Sequence, residues 1–140
     1  MSAGTWPFSK VDEVRFGDLD AMQHLNNVEF LRLVETARIA YTQALVPGFS
    51  PTDRSAFGYV VAETHIAYRA PASFGDRIRT SVRPRPPERS SVTIDFEMRA
   101  EEDERVVAEG HSVLLGYDYG EGGSAEIPED VRALFAADAG

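Results

Sequence analysis

Hydrophobic and polar positions along this chain follow two periods. Through residues 91–99 they alternate strictly, with Val92, Ile94, Phe96 and Met98 on one side and Thr93, Asp95, Glu97 and Arg99 on the other. That is the pattern of a half-buried strand. Three further runs predict strands: 57–68, rich in aromatic and β-branched residues; 76–83, with Ile78, Thr80 and Val82 in alternation; and 106–117. Residues 8–16 predict a first strand with less regular alternation, behind a loose arm at 1–7. From Asn27 to Leu45 the period becomes helical: Phe30, Val34, Ala37 and Tyr41 form one stripe, and Leu31, Leu33, Ala40 and Ala44 widen it. This predicts a helix buried over most of its circumference and roughly 30 Å long, stopped by Pro47-Gly48.

Punctuation fills in the rest. Pro84, Pro86 and Pro87 end the third strand or mark a sheet edge, and the acidic run 101–104 is a hairpin turn. Residues 49–56 predict a loop long enough to act as a lid or pocket rim. Gly120 to Ser124 reads as a flexible linker, and 127–137 as a short helix with Pro128 near its first turn, docked on the surface. The order β-α-β-β-β-β with a trailing helix predicts an α+β fold, a curved antiparallel sheet wrapped around one long helix. One domain is expected over 1–140, with its core at 8–119.

Composition narrows the function classes. The 140 residues include no cysteine, which excludes disulfides, thiolate metal sites and a cysteine nucleophile, and suits a reducing cytoplasm. No basic segment followed by an apolar run opens the chain, and no stretch approaches ~20 apolar residues, so neither a signal peptide nor a membrane span is expected. A net charge of −9 argues against nucleic-acid binding. Arg69, Arg77, Arg79, Arg83, Arg85 and Arg89 nevertheless crowd together with only Asp76 and Glu88 between them. Such a cluster suits a phosphorylated small ligand or, more plainly, a solvated hairpin face.

The segment between first strand and helix carries the densest chemistry. Asp18 and Asp20 sit on a polar turn, His24 follows, and Asn26 and Asn27 stand where the helix starts. Asparagine is a strong N-cap, and a helix N-terminus presents unpaired amides and a favourable dipole to negative charge. A carboxylate beside such a terminus is a plausible acyl-transfer arrangement. By spacing alone, Asp18 and Asp20 read equally as donors of turn and capping oxygens.

Asp18-Leu-Asp-Ala-Met-Gln-His-Leu-Asn-Asn27, followed by Phe30 and Glu35-Thr-Ala-Arg38, resembles the signature of hotdog-fold acyl-CoA thioesterases of the 4-hydroxybenzoyl-CoA thioesterase type. It is also similar to the Gln-His-Val-Asn-Asn segment of plant acyl-ACP thioesterases. The likeness continues through Tyr68-Arg69-Ala-Pro-Ala-Ser-Phe-Gly75-Asp76, from about residue 8 to 117. It implies a hotdog fold, hydrolysis of an acyl-CoA thioester, and a homodimer or homotetramer with active sites near the subunit interface. Coenzyme A enters as part of the substrate, and no separate cofactor is implied.

By that resemblance Asp20 is the catalytic carboxylate, as nucleophile or general base. The backbone amide at Asn27 polarises the thioester carbonyl, and Asp18 is structural. His24 is a candidate to orient Asp20 or carry a proton. Glu63, Tyr59, Arg69, Arg83 and Arg85 are candidates to contact substrate, the arginines through the phosphates of coenzyme A. His65 and His111 read as ordinary strand residues; with His24 they lack metal-ligand spacing, so no metal site is expected. The glycine-rich run at 120–123 lacks the lysine of a phosphate loop. Gln23 departs from the glycine that many acyl-CoA relatives carry before the histidine. From the acyl-ACP pattern, Met22 and Pro71 stand where an asparagine and a glutamate are expected. A non-catalytic acyl-CoA binder, and a hotdog hydratase or dehydratase, are the alternative readings.

Overall fold

A computed structural model describes residues 6–53 and 57–139. Of the expected N-terminal arm, residues 1–5 lie outside the described residues, as do 54–56 of the expected loop. The elements are β1 (Phe8–Glu13), a 3-10 turn (Phe16–Asp18), α1 (Asn27–Leu45), β2 (Tyr59–Tyr68), β3 (Arg77–Pro84), β4 (Ser91–Ala100), β5 (Val106–Asp118), β6 (Gly123–Ser124) and α2 (Glu129–Asp138). The expected α+β order holds. The strands form one antiparallel sheet in the order β1-β3-β4-β5-β2, with β6 added to β5.

The alternation in β4 decides which face of the sheet meets the helix. Val92, Ile94, Phe96 and Met98 are buried with Ile78 and Val82 of β3, Leu114 of β5, and the stripe Phe30, Leu33, Val34, Ala37 and Tyr41 of α1. The other face carries Arg83, Asp95, His111 and His65, which lie in one row across β3, β4, β5 and β2. Strands β5 and β2 approach closely because position 110 has no side chain. A Cβ built there would stand 1.8 Å from the carbonyl oxygen of His65.

Four expectations are corrected. The first strand stops at Glu13, because Arg15 to Asp18 turns back on itself, so Phe16 lies outside it and is exposed. α1 is not apolar to its neighbours all round: Leu31, about 100° from Phe30 on the wheel, is exposed, and so is Ala44 in the last turn. The linker is a hairpin arm, with Tyr117 paired to Ser124 and the Asp118 carboxylate accepting from the amides of Gly120 and Glu121. Gly122 closes it at φ +73°, where glycine carries no side-chain penalty.

The fourth concerns α2, which completes the core instead of resting on the surface. Phe135 and Ile127 are fully buried, Val131 nearly so, and the Tyr41 hydroxyl donates to Asp138 Oδ2 at 2.8 Å. Burying a phenylalanine stabilises by about 1.5–3 kcal/mol. Burial and the neighbouring Asp138 push the Tyr41 phenol well above its usual pKa.

Candidate active site

The chain between β1 and α1 is tied into a small hydrogen-bonded unit. Leu19 bridges Leu25, the Leu25 amide donates to Ala72 O at 2.8 Å, and the Asn26 amide donates to Asp18 O at 2.9 Å. Asn26 caps α1, its side-chain oxygen accepting from the Val28 amide at 3.0 Å. These bonds bring the two aspartates and the helix start together.

The two carboxylates then part ways. Asp18 is 2% exposed and takes a guanidinium from each side: Arg15 Nη2 at 2.8 Å and Arg32 Nη2 at 3.2 Å. It also accepts from the Arg15 amide at 2.9 Å. The Arg15 side chain above all, then its amide and the charge of Arg32, hold the Asp18 carboxyl below the usual carboxylate range against the opposing effect of burial. Every oxygen of Asp18 is committed to structure.

Asp20 is half-buried and engaged on one oxygen. Oδ1 accepts from the amides of Met22 at 2.8 Å and His24 at 3.2 Å. Its own amide donates to His24 O at 2.9 Å. Among the described residues nothing bonds Oδ2. A carboxylate fixed through one oxygen with the other open meets the geometric need of a nucleophile or base. The same contact to the turn amides is what a structural Asx residue would make.

Gln23 explains how the turn closes. It sits at φ +69°, in the left-handed region. That conformation is uncommon for a residue with a side chain and readily adopted by glycine. Glutamine at this position accepts the strain while the Asp20–His24 contacts hold the loop.

Of the first amides of α1, Val28 donates to the Asn26 side chain, and Glu29 and Phe30 to Asn26 O. Among the described residues nothing accepts from the Asn27 amide, and Asn27 is an exposed residue at the helix N-terminus. It is the donor left over for a ligand. Tyr68 braces this end of the helix, its hydroxyl donating to Asn27 O at 3.3 Å and its ring edge-on to Phe30 at 5.2 Å. His24 touches Asp20 through its main chain, and its exposed ring has no hydrogen-bond partner among the described residues.

The remaining candidates lie elsewhere. Glu63 and His65 face away from α1, paired at 3.0 Å, with His65 stacked on His111 at 4.6 Å. Arg69, Arg83 and Arg85 line one open groove of about 790 Å3 on that outer face. They do not stand alone there. Arg69 pairs with Glu109 at 2.9 Å, Arg85 with Asp95 at 2.9 Å, and Arg83 lies over the Trp6 ring at 4.6 Å. Tyr59 lines a separate cavity of about 210 Å3 beside α1, together with Arg38, Phe49 and Phe57. Arg38 is a residue that sequence reasoning passed over as a site candidate. A charged side chain four after Val34 and three before Tyr41, in the spacing of the buried stripe, was the available signal.

The thioesterase-like superfamily matches residues 14–135, and the chain belongs to it. The structure is similar to a thioesterase complexed with coenzyme A and Zn from Thermus thermophilus (31% identity, TM-score 0.83, covering 96% of this chain and 95% of that one). It is likewise similar to a thioesterase-superfamily protein from Jannaschia sp. CCS1 (30% identity, TM-score 0.84, 95% and 83% covered). A 1,4-dihydroxy-2-naphthoyl-CoA thioesterase from Synechocystis shares the fold at 18% identity (TM-score 0.81, 91% and 94% covered). No curated protein matches the sequence. The fold is therefore the hotdog fold, and the general chemistry of the superfamily is thioester hydrolysis.

Proposed function

We propose that this protein hydrolyses an acyl-CoA thioester to the free acid and coenzyme A, with Asp20 and the Asn27 amide at the reacting centre. The observation that carries the reading is their pairing within one hydrogen-bonded turn: a half-buried carboxylate with Oδ2 open, and an unpaired amide at the start of a 19-residue helix. A thioester whose carbonyl oxygen accepts from that amide develops its negative charge where amide and helix dipole stabilise it.

As base, Asp20 Oδ2 takes a proton from the attacking water. The tetrahedral intermediate collapses by breaking the C–S bond, and the same carboxyl returns the proton to the departing thiolate. As nucleophile, Oδ2 attacks the carbonyl carbon directly, expels the thiolate and leaves a mixed anhydride that water opens. Both routes use the same two groups and need no metal or cysteine. His24 is assigned to proton traffic at the rim.

For the phosphates of coenzyme A, Arg69 comes first. It follows β2 directly and neighbours Tyr68, the brace of the helix start. Arg83 and Arg85 lie three strands across the sheet and further along it, and serve a tail that crosses the outer face past Glu63. The protein would act as a homodimer or homotetramer in the cytoplasm. Strand β2 is a sheet edge, open to pairing with a second copy.

Thiol release from a panel of short, medium, long and aryl acyl-CoAs, with wild type beside Asp20→Asn, tests the reading. A protein without cysteine leaves the thiol assay with no background of its own. Turnover lost in the variant is the expected result. Binding of acyl-CoA without thiol release by the wild type would instead favour the acyl-CoA binder, the reading in which Asp20 Oδ1 serves the turn alone.

A further inference from the structure

Arg38 is 6% exposed, and its Nε is a buried donor without a hydrogen-bond partner. No ion pair or hydrogen bond joins its guanidinium to any described residue. Tyr59, in the same cavity, has a buried hydroxyl that is likewise unpartnered. A buried guanidinium without a counter-charge is expensive, and two donors that are unpaired among the described residues and line one small cavity point to a further acceptor. The carboxylates that also line it, Glu35 and Asp53, are both exposed and neither bonds Arg38.

The cavity does not stand apart from the catalytic end of the helix. A groove of about 370 Å3 runs along α1 and β2, lined by Val28, Leu31, Val34 and Val61, and it shares Glu35, Arg38 and Val61 with the cavity. It starts one residue beyond the free amide of Asn27. From Asn27 to Arg38 the helix rises about 16 Å. The route has an apolar floor, with Arg32, the exposed Glu35 and Thr64 also lining it, and it ends at the buried Arg38.

Resting on the thioesterase reading above, we propose that the substrate is an acyl-CoA of medium length whose far end carries a carboxylate. The chain lies on Val28, Leu31 and Val61. The terminal carboxylate accepts from the Arg38 guanidinium and the Tyr59 hydroxyl, between the rings of Phe49 and Phe57. A charge-assisted bond of this kind favours the acid-ended substrate over a methyl-ended one of equal length by about tenfold to a hundredfold.

The test compares kcat/KM for length-matched pairs, hexanoyl- to dodecanoyl-CoA against adipoyl- to dodecanedioyl-CoA, in wild type, Arg38→Met and Arg38→Lys. The expected result is a carboxylate preference in wild type that collapses in Arg38→Met and survives in part in Arg38→Lys, which keeps the charge and loses the fork. A ratio near one in wild type, or an unchanged ratio in Arg38→Met, overturns the inference. Should Arg38→Met fail to fold, the wild-type ratio, Arg38→Lys and Tyr59→Phe decide it, each variant expected to lower the ratio. If no thioester is hydrolysed by the wild type, the hydrolase reading fails by itself. Calorimetry of the same pairs then judges the cavity: tighter binding of the acid-ended partner sustains the inference, and equal binding ends it.

Discussion

The turn that opens α1 and the outer face of the sheet both concentrate charge, and they treat it in opposite ways. On the outer face arginines meet carboxylates: Arg85 meets Asp95, Arg69 meets Glu109 and Arg79 meets Glu104 from a neighbouring strand or turn, and Arg99 meets Glu97 of its own strand. In the turn only Asp18 is saturated in this way. Asp20 keeps one oxygen open and Asn27 keeps one amide open. A surface whose charges pair up holds its side chains in place and can still offer them to a phosphate, whereas a reacting centre needs a group whose position is fixed and whose reactive atom is unspent.

The largest effect that would break this comparison is on activity. Asp20→Asn keeps an Oδ1 acceptor for the Met22 and His24 amides, so the turn should persist while the base or nucleophile is lost. A fall of about 10²–10⁴-fold in kcat/KM is expected, with thermal unfolding nearly unchanged. Retained activity would make Asp20 a turn residue like any other.

Asp18→Asn should do the reverse, leaving chemistry in the folded fraction and removing about 2 kcal/mol of stability. It uncouples a buried carboxylate from Arg15 and Arg32, and Arg15 is largely exposed, which tempers the loss. The sign of the pH dependence follows. Because the folded carboxyl is held below its unfolded value of about 3.9, its contribution is fully present above that value. The contribution fades as pH falls through the folded pKa. Denaturant titrations from neutral to acid pH should therefore show wild type converging on the variant at the acid end.

Gln23→Gly sharpens the account of the turn. Releasing the left-handed strain should raise stability by about 0.5–1 kcal/mol, read as a higher denaturant midpoint with unchanged m. A loss of stability would mean that the glutamine side chain holds the turn in a way its backbone does not reveal. On the other side, Arg85→Ala should change stability by less than about 0.5 kcal/mol, since exposed pairs are worth little. A large fall in melting temperature there would show the outer face to be more than a solvated wall.

Local features were the ones legible in advance. An asparagine cap at Asn26 or Asn27 and Pro47-Gly48 as stop are both written within a few residues; α1 spans Asn27–Leu45, and Asn26 is the cap. The alternation of 91–99 likewise set the buried face of β4. The arginine cluster was legible as a cluster but not as a set of pairs. Asp95, Glu104 and Glu109 reach it only through the β3-β4-β5-β2 register. The burial of Phe135 depends in the same way on a partner distant in the chain, Tyr41.

The sequence by itself therefore determined the elements, the sheet-and-helix class and the turn that bears Asp20, because periodicity, caps and breakers act over one or two turns of chain. Tertiary structure decided which charges are used up. It also decided that Arg38 ends in a cavity with Tyr59, twenty-one positions away in the chain. Pairing and burial are properties of neighbours in space, and neighbours across a sheet are set by register, which no short stretch of sequence carries alone.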